Sequence, residues 1–492
     1  MAETAKTLPE LGLTARSGDS AARVLDITLD SRAVRPGTLF AALPGTRVHG
    51  AAFIDTALEQ GASAILTDRD GAAQGQDALR RYPQAALVVA EDVRATFAMT
   101  AALWFGAQPA TMVAVTGTNG KTSVASFARQ LWTEMGERAI NVGTTGVEGA
   151  WETPLAHTTP DALTLQRLLA EAARAGVTHA AMEASSHGLD QRRLEGVRLM
   201  SAGFTNLSQD HLDYHPTMDA YFEAKEGLFT RLLPDDAIAV VNTDDPWGDR
   251  LADRLSQPVM RIGHADDCTL RILGQRFTAE GQELRFGFGD TVHQVHLSLV
   301  GGFQASNALV ALGLVLASGG DADAALAALP RLQGVRGRMQ LAATRNNGAP
   351  VFVDYAHTPA AIETALRALR PHVMGRLVVV FGAGGDRDKT KRPLMGQAAA
   401  ENADVVFVTD DNPRSEVPAV IRAEILKACP NAIEVGDRAE AILRAVDCLQ
   451  PGDALLIAGK GHETGQTIAG TVYPFDDLEQ ASLAVAALDG KL

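Results

Sequence analysis

Aliphatic residues recur along the chain in short runs, at 86–90, 112–115, 180–182, 238–241, 351–353, 377–381, 405–408 and 454–458. Unbroken apolar runs of this length predict strands buried on both faces. Most lead into a polar or glycine-rich turn and then into an Ala- and Leu-rich stretch of helical spacing. That is the pattern of parallel sheets covered by helices, so the predicted class is α/β. The longest apolar stretch, 308–317, reads as part of a helix and falls well short of the roughly 18 to 20 residues of a bilayer span.

In such sheets ligands gather beyond the carboxyl ends of the strands, so the segments that follow the runs are where chemistry is sought. Three are strongly polar: Thr116-Gly117-Thr118-Asn119-Gly120-Lys121-Thr122, Glu183-Ala184-Ser185-Ser186-His187-Gly188 and Asp410-Asp411-Asn412-Pro413-Arg414. Gly- and Pro-marked breaks at Gly106-Ala107-Gln108-Pro109 and near Gln333-Gly334-Val335-Arg336-Gly337 divide the chain into units 1–108, 109–333 and 334–492. Three units agree with a length of 492 residues at roughly 150 per domain.

Composition narrows the function classes. Asp and Glu total 59 against 44 Lys and Arg, and the net charge of −15 argues against broad electrostatic capture of nucleic acid or an anionic membrane. An anionic substrate must therefore be held by local groups. Cys268, Cys429 and Cys448 lie far apart, with neither metal-site nor disulfide spacing, and read as buried, inert thiols of a reducing compartment. The first ten residues carry acids and a proline where an export signal needs a basic start and an apolar run, so a cytoplasmic location is expected.

The segment 116–123, TGTNGKTS, joins an apolar strand to a helical stretch. Successive backbone N–H groups and a helix N-terminus can there surround phosphate oxygens. Lys121 is suited to neutralise the β- and γ-phosphates, and the Thr122 hydroxyl to meet magnesium. The usual eight-residue pattern is missed, since Val115 stands where its first glycine belongs. From the residues alone, a tight glycine-rich connection is the competing reading.

This loop resembles the phosphate loop of the Mur ligases, and further matching segments run from the N-terminal unit to near the C-terminus. Folylpolyglutamate synthases have a similar loop but typically read Gly-Lys-Gly-Ser where this chain has Gly120-Lys121-Thr122-Ser123. The resemblance implies a three-domain architecture with a central P-loop-type parallel-sheet domain, a Rossmann-like C-terminal domain and an N-terminal domain for a UDP-linked substrate. It also implies ATP and Mg2+ as cofactors. The substrates implied are UDP-N-acetylmuramoyl-L-alanyl-D-glutamate and an amino acid, handled by a monomer without nucleic acid or membrane insertion. A plain P-loop ATPase or nucleotide-binding regulator is the alternative of a different class.

Several site residues follow from the resemblance. Glu183 ends the run 180–182 and would by itself be a solvated or capping group. With Asp210-His211-Leu212-Asp213 and Lys225 it resembles the family's magnesium site, made by Thr122, Glu183, His211 and Lys225. A His in an Asp-rich turn is by default a structural hydrogen-bonder, and a helical Lys225 by default a surface lysine. The resemblance instead makes Lys225 the lysine that reacts with carbon dioxide to form a carbamate. That reaction requires a neutral amine, and hence desolvation.

Asn307, in Gly301-Gly302-Phe303-Gln304-Ala305-Ser306-Asn307, would ordinarily cap the helical stretch 308–316; by resemblance it also meets adenine. Arg338 and the segment Asp354-Tyr355-Ala356-His357 resemble the interdomain arginine and the ribose-side contacts, so ATP is expected between the second and third units. Leu29, Asp30, Ser31 and Arg32, with Thr46, Arg47, Val48 and His49, resemble the segments that hold the uridine diphosphate end. His157, Thr158, Thr159, Ser185, Gln191 and Arg193 resemble the muramoyl-peptide contacts, although His157 stands where relatives typically carry Asn.

Asp411, Asn412, Pro413 and Arg414 resemble the motif of diaminopimelate-adding members, with Arg387, Gly459 and Glu463 completing the amino-acid site. Lysine-adding members typically lack this arginine. A planar guanidinium suits the second carboxylate that distinguishes meso-diaminopimelate from L-lysine, and Asp411 and Asn412 supply acceptors for the nearby amine.

Overall fold

The computed structural model describes residues 5–45, 48–212, 214–278 and 281–491. The apolar runs become the strands Ala86–Val89, Thr111–Thr116, His179–Glu183, Ile238–Asn242, Pro350–Asp354, Leu377–Phe381, Val405–Val408 and Ala454–Ala458. They are distributed over three main sheets, each with a parallel core.

The first sheet has four parallel strands, Asp26–Thr28, Thr38–Ala42, Ala64–Thr67 and Ala86–Val89, in sequence order. The second has ten strands. Its parallel centre runs Val259–Gly263, Ile238–Asn242, Ser201–Phe204, Thr111–Thr116, His179–Glu183 and Ala139–Gly143. Thr111–Thr116 lies between strands that come later in the chain, so the strand order reverses about it and opens a crevice at its carboxyl end. Met112 to Val115 are apolar because both faces of the strand are covered. Met112 and Ala114 join the core on one side of the sheet; Val113 and Val115 join the other, beneath helices Lys121–Glu134 and Phe303–Ala317.

The third sheet runs Gln340–Thr344, Pro350–Asp354, Ala454–Ala458, Leu377–Phe381, Val405–Val408 and Ile433–Glu434, parallel except for its first strand. The second and third sheets are tied together by His372, whose Nδ1 lies 2.6 Å from the Thr278 carbonyl and whose Nε2 accepts from Gly301 N at 3.0 Å. On the other flank, Arg192 pairs with Asp92 at 3.0 Å, and Ala162 packs into the core of the first sheet.

Lys225 is desolvated, as a carbamate-forming lysine must be: helix Met218–Gly227 turns it inward and only 1% of it is exposed. Two residue-level expectations are corrected. Asn307 is not the helix cap, because the helix begins at Phe303 behind an N-cap Gly302 and Asn307 lies in its second turn. Of the three cysteines, all free, only Cys429 is buried; Cys268 and Cys448 are half-buried, and burial pushes all three thiols up from their ordinary pKa. The apolar stretch 308–317 lies in the core helix Phe303–Ala317. Among the described residues no helix is long and apolar enough to cross a membrane.

Candidate active site

The loop after Thr111–Thr116 is shaped by two glycines. Gly117 has φ +146°, and a Cβ there would come within 1.9 Å of Thr205 Oγ1. Gly120, at φ +87°, would meet Asn307 Oδ1 at 2.5 Å. Only glycine lets the backbone approach both neighbours so closely. The loop delivers the chain into helix Lys121–Glu134, whose unpaired N–H groups and positive dipole end face the crevice. Lys121 folds back over the loop, Nζ donating to the carbonyls of Gly117 (2.9 Å) and Thr118 (2.8 Å). Burial lowers its pKa below the ordinary lysine value, while the Glu183 carboxylate opposes that shift.

One residue on, Thr122 Oγ1 donates to Glu183 Oε2 at 3.1 Å. Glu183 is 1% exposed and also accepts from Thr144 N (2.7 Å) and Thr144 Oγ1 (3.2 Å). A hydroxyl and a carboxylate side by side at a phosphate-facing helix start form a hard-oxygen donor pair. They fit magnesium, which takes one or two protein oxygens and leaves its other positions to water and phosphate.

Lys225 reaches the same loop from the other side, donating to Gly117 O at 2.7 Å with its ammonium 4.6 Å from the Tyr221 ring centre. Burial, with the charge of Lys121 adding to it, holds its pKa well below the lysine range. His211 sits in a half-exposed turn at φ +53°, its ring 4.9 Å from that of His187 and 6.2 Å from that of Tyr221, and its Nε2 3.6 Å from Asp210. Among the described residues, no three or more His, Cys, Asp and Glu side chains are grouped to hold a metal ion. Asp213 lies outside the described residues.

A cavity of about 330 Å³ opens beside the loop and is walled from both larger sheets. Asn119, Gly120, Ser123 and Asn307 line it from the second; Arg338, Asp354, Tyr355 and His357 line it from the third. Asn307 is fixed by its Nδ2, which donates to Gln304 Oε1 at 3.0 Å. Arg338 stacks 5.0 Å from the Tyr355 ring centre and donates from Nη2 to Thr122 Oγ1 at 3.4 Å. Its buried Nε has no protein partner among the described residues. Asp354 accepts from Met339 N (2.6 Å) and Ala356 N (2.9 Å), and burial raises its pKa. Burial lowers that of His357, whose Nδ1 lies 2.8 Å from Tyr355 O.

The residues matched to the peptide end converge on Glu183. Thr158 Oγ1 lies 3.0 Å from Thr144 Oγ1. Thr159 Oγ1 donates to Glu183 O (2.9 Å) and accepts from Ser185 N (3.0 Å). Arg193 donates to Thr159 O at 2.6 Å and to Gln191 Oε1 at 2.7 Å, while Ser185 caps its helix through Gly188 N. His157 is exposed at the edge of this network. In the first sheet's unit, Asp30 accepts from Arg32 N, Nε and Nη2 and caps the short helix Ser31–Ala33. Those hydrogen bonds pull its carboxyl down to about 2. His49 Nε2 lies 3.2 Å from Asp68; Leu29 is half-buried and Val48 exposed. Thr46 and Arg47 lie outside the described residues.

The amino-acid candidates assemble where three segments leave adjacent parallel strands of the third sheet, Ala454–Ala458, Leu377–Phe381 and Val405–Val408. Asn412 Nδ2 donates to Glu463 Oε2 at 2.9 Å, and Asn412 Oδ1 accepts from Thr467 N at 2.9 Å. Arg414, at φ +51°, is anchored by Nη1 to Gly385 O at 2.7 Å. A Cβ on Gly384 would stand 2.8 Å from that guanidinium and 3.9 Å from Arg387, and one on Gly459 3.3 Å from Asp411. Pro413 is buried between Asn412 and Arg414. Sequence reasoning passed over Lys460, which is fully buried and donates to Asn412 Oδ1 at 3.1 Å. A lysine between two glycines at a strand end was the available signal. Tyr355, within the segment read as ribose-side, has a ring that joins Arg338 to His357 and His462.

Comparison with known proteins gives three family matches in chain order: the Mur ligase family catalytic domain over residues 24–103, the Mur ligase middle domain over 115–315, and the Mur ligase glutamate ligase domain over 337–461. The chain is similar to the UDP-N-acetylmuramoyl-L-alanyl-D-glutamate–2,6-diaminopimelate ligase of Rhizobium meliloti, with 49% identity over 98% of both chains. The ligase of the same name from Caulobacter vibrioides is also 49% identical, over 95% of this chain and 96% of that one. A solved structure of a ligase with this name superposes with TM-score 0.73 at 34% identity, covering 98% of this chain and 99% of the other. A folylpolyglutamate synthase of Mycobacterium tuberculosis shares the fold, with TM-score 0.61 at 22% identity over 75% of this chain and 92% of its own.

Proposed function

This chain belongs to the Mur ligase family, and on that premise we propose that it is the ATP-dependent ligase joining meso-2,6-diaminopimelate to the D-glutamate γ-carboxylate of UDP-N-acetylmuramoyl-L-alanyl-D-glutamate. The product is a tripeptide-bearing nucleotide, a cytoplasmic precursor of peptidoglycan made by a monomeric enzyme. The observation that carries the reading is the cavity lined jointly by Gly120, Ser123 and Asn307 and by Arg338, Asp354 and His357. It is a nucleotide-sized site between a phosphate loop and the sheet that carries Asp411–Arg414. We assign residues 1–108 to the UDP end of the substrate, 109–333 to ATP and 334–492 to the amino acid.

The γ-phosphoryl group of ATP passes to a γ-carboxylate oxygen, its bond to the β-phosphate oxygen breaks and ADP leaves. The amine nitrogen of diaminopimelate then attacks the acyl carbon. The tetrahedral intermediate collapses by breaking the carbon–oxygen bond to phosphate, phosphate departs with the electron pair, and the amine loses a proton. Both steps bring anions together, so catalysis consists largely of positioning and charge stabilisation.

Lys121 and the helix N-terminus hold the β- and γ-phosphates; Gly117, Thr118, Asn119, Gly120 and Ser123 shape the cradle around them. Asn307 meets adenine, Asp354 and His357 the ribose, and Arg338 spans the interface to the phosphates. Thr158, Thr159, Ser185, Gln191 and Arg193 hold the peptide beside Glu183, with His157 at its rim. Leu29, Ser31 and the segment from Thr46 to Val48 hold the uridine diphosphate. Magnesium, held by Thr122, Glu183, His211 and carbamylated Lys225, would supply positive charge between the two anions.

Phosphate release is expected only when both the UDP-muramoyl dipeptide and diaminopimelate are present. Release with neither would make the protein a plain ATPase and overturn the reading. Arg387, Asp411, Asn412, Pro413, Arg414, Gly459 and Glu463 form the amino-acid site, and Arg414 supplies the fork for the distal carboxylate. L-Lysine would leave that guanidinium unpaired against a bare ammonium, a cost of about 2 to 5 kcal/mol. Arg414→Ala should therefore raise the diaminopimelate KM and shrink its preference over lysine by on the order of 10²-fold. Equal kcat/KM values for the two amino acids in the unmodified enzyme would remove the assignment.

A further inference from the structure

The Lys460 side chain is fully buried. Its ammonium lies 3.1 Å from Asn412 Oδ1, 3.5 Å from Glu463 Oε2 and 3.6 Å from Asp411 Oδ1. A buried lysine is costly unless charge and hydrogen bonds offset its desolvation, and here two carboxylates do so. Behind them, Arg438 and Asp477 form a closed pair at 2.7 Å with neither side chain exposed, and that pair neutralises itself. Within this cluster one ammonium therefore lies against two carboxylates, and Lys391 acts on Asp411 from the start of the adjacent helix. Asp411 Oδ1 has no hydrogen-bond donor among the described residues, and the Glu463 side chain is still 34% exposed. The cluster is built to receive one more cation with N–H donors.

We propose that Lys460 is a positioning residue that offsets one of the two carboxylates of this pocket. It orients Asn412 and Glu463 so that the pocket accepts a single substrate ammonium group beside Asp411. This rests on the amino-acid site proposed above and deepens it. Lys460 does not itself touch the reacting atoms. Its ammonium fixes Asn412 Oδ1, which Thr467 N also holds, and this turns Asn412 Nδ2 onto Glu463. Without Lys460, two like charges would face each other across a buried pocket, and one would turn away or take up a proton.

The test is a double-mutant cycle on the full-length enzyme with Lys460→Met, Glu463→Gln and both together, reading KM for each substrate and kcat. Lys460→Met should raise the diaminopimelate KM at least about tenfold, with KM for ATP and for the UDP-muramoyl dipeptide unchanged and kcat within about threefold. Glu463→Gln should also raise the diaminopimelate KM. The double variant should be no worse than Lys460→Met, since it restores the net charge of the unmodified pocket. Additive losses, or a fall in kcat with all three KM values moved together, would show only a packing role and overturn the proposal. If Glu463→Gln leaves the diaminopimelate KM unchanged, the site reading itself fails and takes this inference with it. If Glu463→Gln raises it but Lys460→Met does not, the site stands and the inference alone is lost. Lys460→Gln, which keeps a donor for Asn412 without the charge, replaces Lys460→Met should thermal melting show that variant unfolded; it carries the same expected and overturning results.

Discussion

Lys121→Ala is expected to abolish ligation almost entirely, lowering kcat by on the order of 10³-fold or more with a far smaller change in the ATP KM. The ammonium sits on the carbonyls of Gly117 and Thr118, at 2.9 and 2.8 Å, at the start of a helix whose dipole already favours phosphate. Charge develops on the transferring group and on the departing β-phosphate oxygen during the reaction. A fixed cation there stabilises the transition state more than the bound nucleotide. The fold should persist, because both hydrogen bonds stay within the lysine's own loop and the helix is held by Val124, Phe127, Ala128 and Leu131 in the core. Circular dichroism and thermal melting check the fold, and turnover at saturating ATP checks the chemistry. Near-normal kcat in a folded variant would remove the phosphate-loop assignment.

Lys225→Ala is expected to have the second largest effect, a loss of about 10²-fold in kcat that a small added carboxylate partly restores. Lysine can form a carbamate only as a neutral amine, and this side chain is buried, with its pKa held well below the lysine range by burial and by Lys121. A carbamate there would place an anion beside Gly117, and a small acid could occupy the space that alanine leaves. In the unmodified enzyme, stripping carbon dioxide from the buffer should lower activity and bicarbonate should restore it; the alanine variant should respond to neither. Activity indifferent to carbon dioxide, together with an unmodified ammonium in an active, magnesium-loaded crystal, would rule out the modification.

The α/β class and the core strands were legible because a strand buried on both faces must be apolar along its length, and such runs stand out at 112–115, 377–381 and 454–458. Ala139–Gly143 and Ser201–Phe204 were not legible. Asn141 and Ser201 interrupt the apolar pattern, and their polar groups are satisfied only by partners distant in sequence or across a hairpin: Arg129 and Glu148 for Asn141, Ile238 O for Ser201. The three strands spanning 270–297 have one face in the core and one towards solvent, so they carry alternation rather than a run.

The candidate site divides along the same line. Gly117, Gly120, Lys121 and Thr122 could be read from sequence because strand, loop and helix are contiguous, and the phosphate cradle is made of local backbone. Asp411 to Arg414 could be read because they follow a strand end. Tertiary structure alone decided that Lys225 is buried against Gly117, 108 residues away, that Arg338 meets Thr122 and that Lys460 lies between Asp411 and Glu463. Each of these is a cation whose role depends on desolvation and on which carboxylates or carbonyls share its pocket. Those are properties of packing between sheets, and a lysine or arginine in a sequence looks the same whether water or protein surrounds it.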